Sequence, residues 1–351
     1  MSDKPKVITR KLLAWYDAHQ RVFPFRGTKD PYRIWLSEIM LQQTRTETVG
    51  PYYERFLKQF PDVHSLANAP VESVLKAWEG LGYYTRARNL HRTAGIVAHE
   101  HDGVFPRTAQ GLQALPGVGP YAAAAIASIA YDEPIPAMDG NLYRVISRLF
   151  LYEQDTGTAK AKKDLYDLGL SLMPQTRAGD MNQALMDLGA TICLPGTPDC
   201  ARCPLQTECE AYQSADPAAL PVMKAKKPPK QIPVSVIILL CGRKVLLLRR
   251  EKALLRGMYL FALSEGEDGL EAARKAVKKY AKDILDIHVV GTARHIFTHQ
   301  VWNMTIYLAR TPTCEPVEHG IWADLAQLDA LPVPVAMNAA LAHARAVLSS
   351  E

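Results

Sequence analysis

LPGVGPYAAAAIASIA, residues 115–130, decides how the first part of this 351-residue chain is read. Gly117 and Gly119 permit a tight turn and present backbone N–H groups just before an Ala-rich helix opens at Pro120 and Tyr121. With Leu115 and Val118 they form a place that holds a phosphate oxygen without reading a base. An ordinary Gly/Pro turn between two helices has the same letters. On both sides of this stretch apolar residues recur at spacings of three and four, broken by Pro, Gly or Asp, which is the pattern of a helical domain. Asp30 and Pro31 read as cap and first turn of a helix from Tyr32 to Thr44. Val71 to Trp78 reads as another helix and Tyr121 to Ala130 as a third.

Further along, CLPGTPDCARCPLQTEC places Cys193, Cys200, Cys203 and Cys209 in one loop, with six, two and five residues between them. The chain has 6 cysteines, and the other two are Cys241 and Cys314. Four soft thiolates gathered this tightly suit an iron–sulfur cluster or a zinc ion, and spacing alone does not choose between them. A disulfide framework is disfavoured in a chain whose first residues, MSDKPKVITRKLLAWYDAHQ, lack an apolar signal core.

Composition changes after the cysteines. Ala211 to Ile232 is rich in proline and lysine, including Lys224, Lys226, Lys227 and Lys230, and reads as an extended tether. The domains are therefore expected at 1–213 and 233–351, with 214–232 between them. PVSVIILLC and KVLLLRR flank the turn-like Gly242 and Arg243 as strands. A helix is expected near Leu270 to Lys282, strands around His295 and from Trp302 to Leu308, and a last helix near Met337 to Leu348, making the second domain α+β. Hydrophobic residues make up 48% of the chain and the net charge is +5, a modest basic excess that permits a polyanionic partner. No run approaches the ~18 apolar residues of a membrane span, so a soluble, cytoplasmic protein is expected, and it is expected to act as a monomer.

Two carboxyl groups stand out. Glu38 in WLSEIML sits among apolar residues on a predicted helix, where burial raises a carboxyl pKa and equips it as a general acid. Pairing with Arg33 or Arg45 is the plainer alternative. Asp139 in EPIPAMDGNLYR precedes a helix starting near Leu142. It reads as a cap, and a carboxylate held by backbone amides stays ionised and is able to face a developing cation. A protonated Glu with an ionised Asp is the pairing that breaks glycosidic bonds.

SEIMLQQT, EGLGYYTRARNL, LPGVGPY, MDGN and the four-cysteine spacing, in this order, resemble the MutY-type adenine DNA glycosylases of the endonuclease III superfamily. The resemblance covers nearly the whole chain. It implies a multidomain fold: an all-α helix-hairpin-helix domain with its hairpin near 112–130 and an iron–sulfur loop at 193–209, plus a Nudix-like α+β domain. It implies a [4Fe-4S] cluster on the four cysteines and, as partner, double-stranded DNA containing adenine opposite 8-oxoguanine or guanine, with the adenine flipped out of the stack. Bacterial-type, nucleoid-associated repair is the expected setting.

Carried over by motif, Glu38 protonates the departing adenine, Asp139 stabilises the oxocarbenium ion, and Tyr121 and Asn141 support them. Arg26 falls in the adenine pocket, although Phe25 stands before it where the family usually has tryptophan. Gln43, Thr44 and Tyr83 meet the opened duplex beside 8-oxoguanine, the adjoining Tyr84 leaving the choice of tyrosine open. Phe297, Thr298 and His299 match the loop that reads 8-oxoguanine, with threonine where serine is frequent; a plain β-hairpin is the alternative. Relatives that cut the strand carry a lysine in the hairpin region, whereas none lies between Leu115 and Asp139, so a monofunctional enzyme is expected. LEAARKAVKKYAKD lacks the glutamates that hold magnesium in a Nudix hydrolase, so no pyrophosphatase activity is expected.

Overall fold

A computed structural model describes residues 3–224 and 228–350; Lys226 and Lys227 of the expected tether lie outside the described residues. The chain divides into two compact units, 3–68 with 89–224 and 69–88 with 228–350.

The helices up to the tether are α1 (Lys4–His19), α2 (Pro31–Leu41), α3 (Thr46–Gln59), α4 (Val63–Ala67), α5 (Val71–Ala77), α6 (Thr85–Glu100), α7 (Ala109–Gln113), α8 (Pro120–Tyr131), α9 (Gly140–Leu149), α10 (Ala159–Ser171), α11 (Ala178–Thr191) and α12 (Glu210–Ser214). Of these α5 belongs to the second unit. The main core of the first unit joins Ile8 and Leu12 of α1, Leu142 and Ile146 of α9, Leu165 of α10, and Met181, Leu185 and Leu188 of α11. These are the three-and-four spaced positions of the sequence. Asp30 caps α2, accepting from the Tyr32 N–H, with Pro31 in the first turn. The helix stops at Leu41 rather than Thr44 because Gln43 adopts left-handed backbone (φ 58°), and the Thr44 N–H turns back to the Leu41 carbonyl at 3.2 Å.

The proline- and lysine-rich stretch is less extended than its composition suggests. Residues 211–214 are helical within α12, Leu220 is buried, and Arg148 donates to the Leu220 carbonyl at 3.0 Å. Lys230 already pairs with Gln300 in the sheet. Prolines bar a long helix there, but a cation offered to a carbonyl and one buried leucine are enough to dock the start of the segment.

The second unit is built on β1 (Lys230–Cys241), β2 (Lys244–Arg249), β3 (Tyr259–Leu260), β4 (Ala262–Glu265), β5 (Asp286–Ile296), β6 (Gln300–Arg310) and β7 (Gly320–Ala323), with α13 (Leu270–Val277), α14 (Leu325–Ala330) and α15 (Asn338–Ser350). The sheet is mixed: β1 runs parallel to β6 and antiparallel to β2 and β4, and β5 closes on β6 as a hairpin. Val234 to Cys241 is buried throughout. Ile237 and Leu239 meet Ala273 and Val277 of α13, while α15 packs against β1 and β5. A strand covered on both sides reads as a continuous apolar run. The first helix of the unit's sheet region ends at Val277, short of Lys282, where Tyr280 turns back to the Val277 carbonyl at 2.8 Å and joins the core. Cys241 and Cys314 form a disulfide across 73 residues, which the sequence does not signal. Among the described residues no helix is long and apolar enough to cross a membrane.

Candidate active site

In the first unit Arg26, Glu38, Thr44, Tyr121, Asp139 and Asn141 line one pocket of roughly 250 Å³, open at its mouth. The sequence scatters these residues over more than a hundred positions. The fold gathers them because α2 and α8 pack side by side and the start of α9 faces both.

Glu38 lies on the buried face of α2 at 6% exposure. The Tyr121 hydroxyl, in the first turn of α8, donates to Glu38 Oε2 at 2.8 Å. Arg33 pairs instead with Asp30 at 3.5 Å. Burial pushes the Glu38 carboxyl up to about 7; the tyrosine bond and Arg26 pull down, and Asp139 pushes up. A buried carboxyl at that value is shared between acid and base forms at neutral pH.

Asp139 caps α9. Its Oδ1 accepts from the Leu142 N–H at 2.7 Å and its Oδ2 from the Asn141 side-chain amide at 2.9 Å. The sequence points to the amides and is silent on the burial. Burial is the larger influence and raises the pKa above the ordinary aspartate value, while the Leu142 and Asn141 bonds pull it back down. Asn141 is held in turn by Arg144, whose Nη2 donates to Asn141 Oδ1 at 2.8 Å and to the Gly189 carbonyl at 2.7 Å. A side chain at position 189 would strike Asn141 Cβ at 2.7 Å, so glycine is what lets α11 come this close.

Arg26 is clamped from behind the pocket wall. Its Nη1 and Nη2 meet the two Asp187 oxygens at 2.5 and 2.8 Å, and Arg21 Nε reaches Asp187 Oδ1 at 2.7 Å. Asp187 is wholly buried on α11. Gln183, one turn earlier on α11, also lines the pocket. Sequence reasoning missed Asp187, Gln183 and Arg144. The one signal was the three polar residues Asn182, Gln183 and Asp187 within NQALMDLG, a segment otherwise spaced as a core helix.

The hairpin residues lie apart from the pocket. Leu115 and Val118 are buried, while Gly117 and Gly119 are exposed, Gly119 beside the start of α8. Gly117 has φ 77°, and a Cβ there would meet Asn89 Cβ at 2.7 Å. Thr93 donates to the Pro116 carbonyl at 2.8 Å and ties the turn to α6. Gln43 lies just beyond the end of α2, outside the pocket lining.

Cys193, Cys200, Cys203 and Cys209 line a second pocket of the first unit, together with Arg148. Burial raises the pKa values of Cys200, Cys203 and Cys209, that of Cys203 to about 12. Arg148 Nη1 lies 3.3 Å from Cys193 Sγ, and Arg144 Nε donates to the Cys193 carbonyl at 2.7 Å. Among the described residues no group of three or more His, Cys, Asp or Glu is arranged to hold a single metal ion.

In the second unit Phe297, Thr298 and His299 form the tip of the β5–β6 hairpin. Phe297 is half-buried, edge-on to Trp302 (5.1 Å) and His295 (4.6 Å), while Thr298 and His299 are exposed. Tyr83, at φ 49° in the same unit, has its hydroxyl 3.0 Å from Thr298 Oγ1. Arg86 donates to the Leu81 and Gly82 carbonyls and lies against the Tyr83 ring, which shapes the turn that presents the tyrosine.

Comparison with known proteins agrees with this architecture. The family model described as HhH-GPD superfamily base excision DNA repair protein matches residues 36–169, and a NUDIX domain model matches residues 235–343. The adenine DNA glycosylase of Mus musculus is 44% identical over 211 residues, covering 58% of this chain and 41% of that protein. The chain thus spans less than half the length of that mammalian relative. The adenine DNA glycosylase of Buchnera aphidicola subsp. Acyrthosiphon pisum (strain APS) is 35% identical over 234 residues, covering 66% of this chain and 67% of that one. Among solved structures, a thermostable thymine-DNA glycosylase is 30% identical with a TM-score of 0.54, covering 61% of this chain and 98% of that one. With a base-excision fold in its helical half, a NUDIX domain beyond it and a relative of which it spans two thirds, the chain belongs to the MutY-type adenine DNA glycosylase family.

Proposed function

We propose that this protein excises adenine mispaired with 8-oxoguanine or guanine in double-stranded DNA, hydrolysing the N-glycosidic bond and leaving an abasic site. The observation that carries the reading is the pairing of carboxyls in one pocket: Glu38, buried and near neutral, opposite Asp139, held by two N–H donors at the start of α9. Glu38 in its acid form donates its proton to the leaving base. Asp139 in its ionised form faces the oxocarbenium ion. Tyr121 fixes the Glu38 carboxyl, and Arg26 and Asn141 hold the pocket around the flipped nucleotide. Afterwards the Glu38 carboxylate accepts a proton from the attacking water.

The hairpin at Leu115–Gly119 meets backbone phosphate, and Gln43, Thr44 and Tyr83 meet the opened base step. Phe297, Thr298 and His299 read 8-oxoguanine. With no lysine between Leu115 and Asp139, the enzyme releases the base without cutting the strand. It acts as a monomer in the cytoplasm, at the nucleoid, and its second unit hydrolyses no nucleotide pyrophosphate.

The four cysteines fit a [4Fe-4S] cluster. The donor set is four thiols lining one pocket, with the Arg148 guanidinium 3.3 Å from Cys193 Sγ. When bound, the cluster shapes this loop and supplies no electron to the hydrolysis. Purified protein is expected to contain iron and inorganic sulfide in equal amounts, and Cys203→Ser to lose both.

Release of labelled base from duplexes holding A opposite 8-oxoguanine, A opposite G, A opposite T and T opposite G tests the substrate. Adenine release from the first two alone is expected. Thymine release from the last would move this chain toward the activity named for its thymine-specific structural neighbour.

A further inference from the structure

Arg26 presents a full positive charge to the same pocket that must keep Glu38 protonated. A guanidinium beside a carboxyl favours the ionised form and opposes the task of an acid. The fold answers with Asp187. This carboxylate is wholly buried, accepts both Arg26 Nη groups and Arg21 Nε, and takes a further hydrogen bond from the Arg21 backbone N–H at 3.2 Å. Arg21 is 29% exposed at its side chain and is partly screened by water, whereas Arg26 is 13% exposed and depends on its partner. Phe23 stacks against both guanidinium groups, at 5.0 Å from Arg21 and 5.3 Å from Arg26, so neither swings away freely.

We propose that Asp187 is a positioning residue for this reaction: it pins Arg26 in the pocket wall and cancels its charge, so that Glu38 keeps its proton at neutral pH. The inference rests on Glu38 being the acid. The titratable groups facing Glu38 are Tyr121 on α8, Asp139 at the start of α9 and Arg26 in the α1–α2 loop, with Arg21 and Asp187 behind Arg26; α3 brings the uncharged Thr46 to the pocket lining. Tyr121 stays neutral, its pKa raised well above 10 by burial. Asp139 favours protonation of Glu38 and Arg26 opposes it. Removing Asp187 leaves two cations uncompensated on one side of the pocket, and removing Arg26 leaves Asp187 facing Arg21 alone.

The two changes therefore act in opposite directions. The test follows the carboxylic-acid band of Glu38 by infrared titration of the full chain, assigned by its loss in Glu38→Gln. In Asp187→Asn the midpoint is expected to fall by about one pH unit, the low end for an uncompensated neighbouring guanidinium. In Arg26→Met it is expected to rise. Thermal melting reports whether each variant is folded, and if Asp187→Asn is not, the direction in Arg26→Met decides. Midpoints that stay at the wild-type value, or move the same way in both variants, overturn the proposal and leave Asp187 a structural ion pair. Adenine release from the same preparations reports separately on the function: a wild type that releases no adenine sinks that reading while the titration still tests the charge balance.

Discussion

The Tyr121 hydroxyl donates to Glu38 Oε2 at 2.8 Å inside a site where the glutamate is 6% exposed. One hydrogen bond does not replace the hydration a carboxylate loses on burial, and this is why Glu38 rises to about 7.

Glu38 should therefore cost stability at alkaline pH. Its folded pKa lies above its unfolded value, so its favourable contribution is complete below about 4.5 and is lost as pH rises through about 7. Glu38→Gln keeps an acceptor for Tyr121 and removes the ionisation. It should be more stable than wild type at pH 8 by roughly 3 kcal/mol, since each tenfold change in proton affinity is worth ~1.4 kcal/mol, with the difference vanishing near pH 4. Calorimetry at both pH values checks this, and equal melting at pH 8 would refute the buried acid.

Activity should fall on both sides of neutrality. The alkaline limb follows loss of the Glu38 proton near pH 7. The acid limb follows protonation of Asp139 and lies above the ordinary aspartate value of 3.8, since burial raises it. A single-turnover profile that keeps rising beyond pH 8 would exclude Glu38 as the donor.

Asn141→Leu should lower the rate by roughly 10- to 100-fold, the equivalent of one hydrogen bond to a charged group. The Asn141 amide pulls the Asp139 pKa down, so its loss should also move the acid limb upward. A lower rate with an unmoved limb would mean that the asparagine acts on shape alone.

Much of this is legible in sequence, for a definite reason. The cap at Asp139, the buried Glu38 and the glycine turn at 115–119 each depend on a few consecutive residues, and local chemistry decides them. Asp187 and Arg26 are 161 positions apart, and neither carries a motif for their pairing, which needs α11 folded behind the α1–α2 loop. The same holds for the Arg144 bridge from Asn141 to Gly189 and Cys193, and for the Cys241–Cys314 disulfide. The ends of α2 and α13 escape sequence reasoning because a left-handed residue and a core-directed tyrosine, not helix propensity, stop them.

Gly117→Ala should weaken binding to every duplex by a similar factor without shifting the alkaline limb. Its backbone is left-handed, and its new Cβ would meet Asn89 Cβ at 2.7 Å, so the turn must move at a cost of about 1 kcal/mol or more. Binding titrations with matched and lesion duplexes check this. A loss confined to lesion DNA would place the hairpin in base reading instead of phosphate contact.

The most direct measurement is single-turnover adenine release from a duplex with one A opposite 8-oxoguanine, comparing wild type with Glu38→Gln. Rapid release by the wild type, and a loss of at least about 100-fold in the variant with lesion binding retained, is the expected result. Equal release by both proteins would contradict the role given to Glu38, and tight binding with no release by either would make this a lesion-recognition protein.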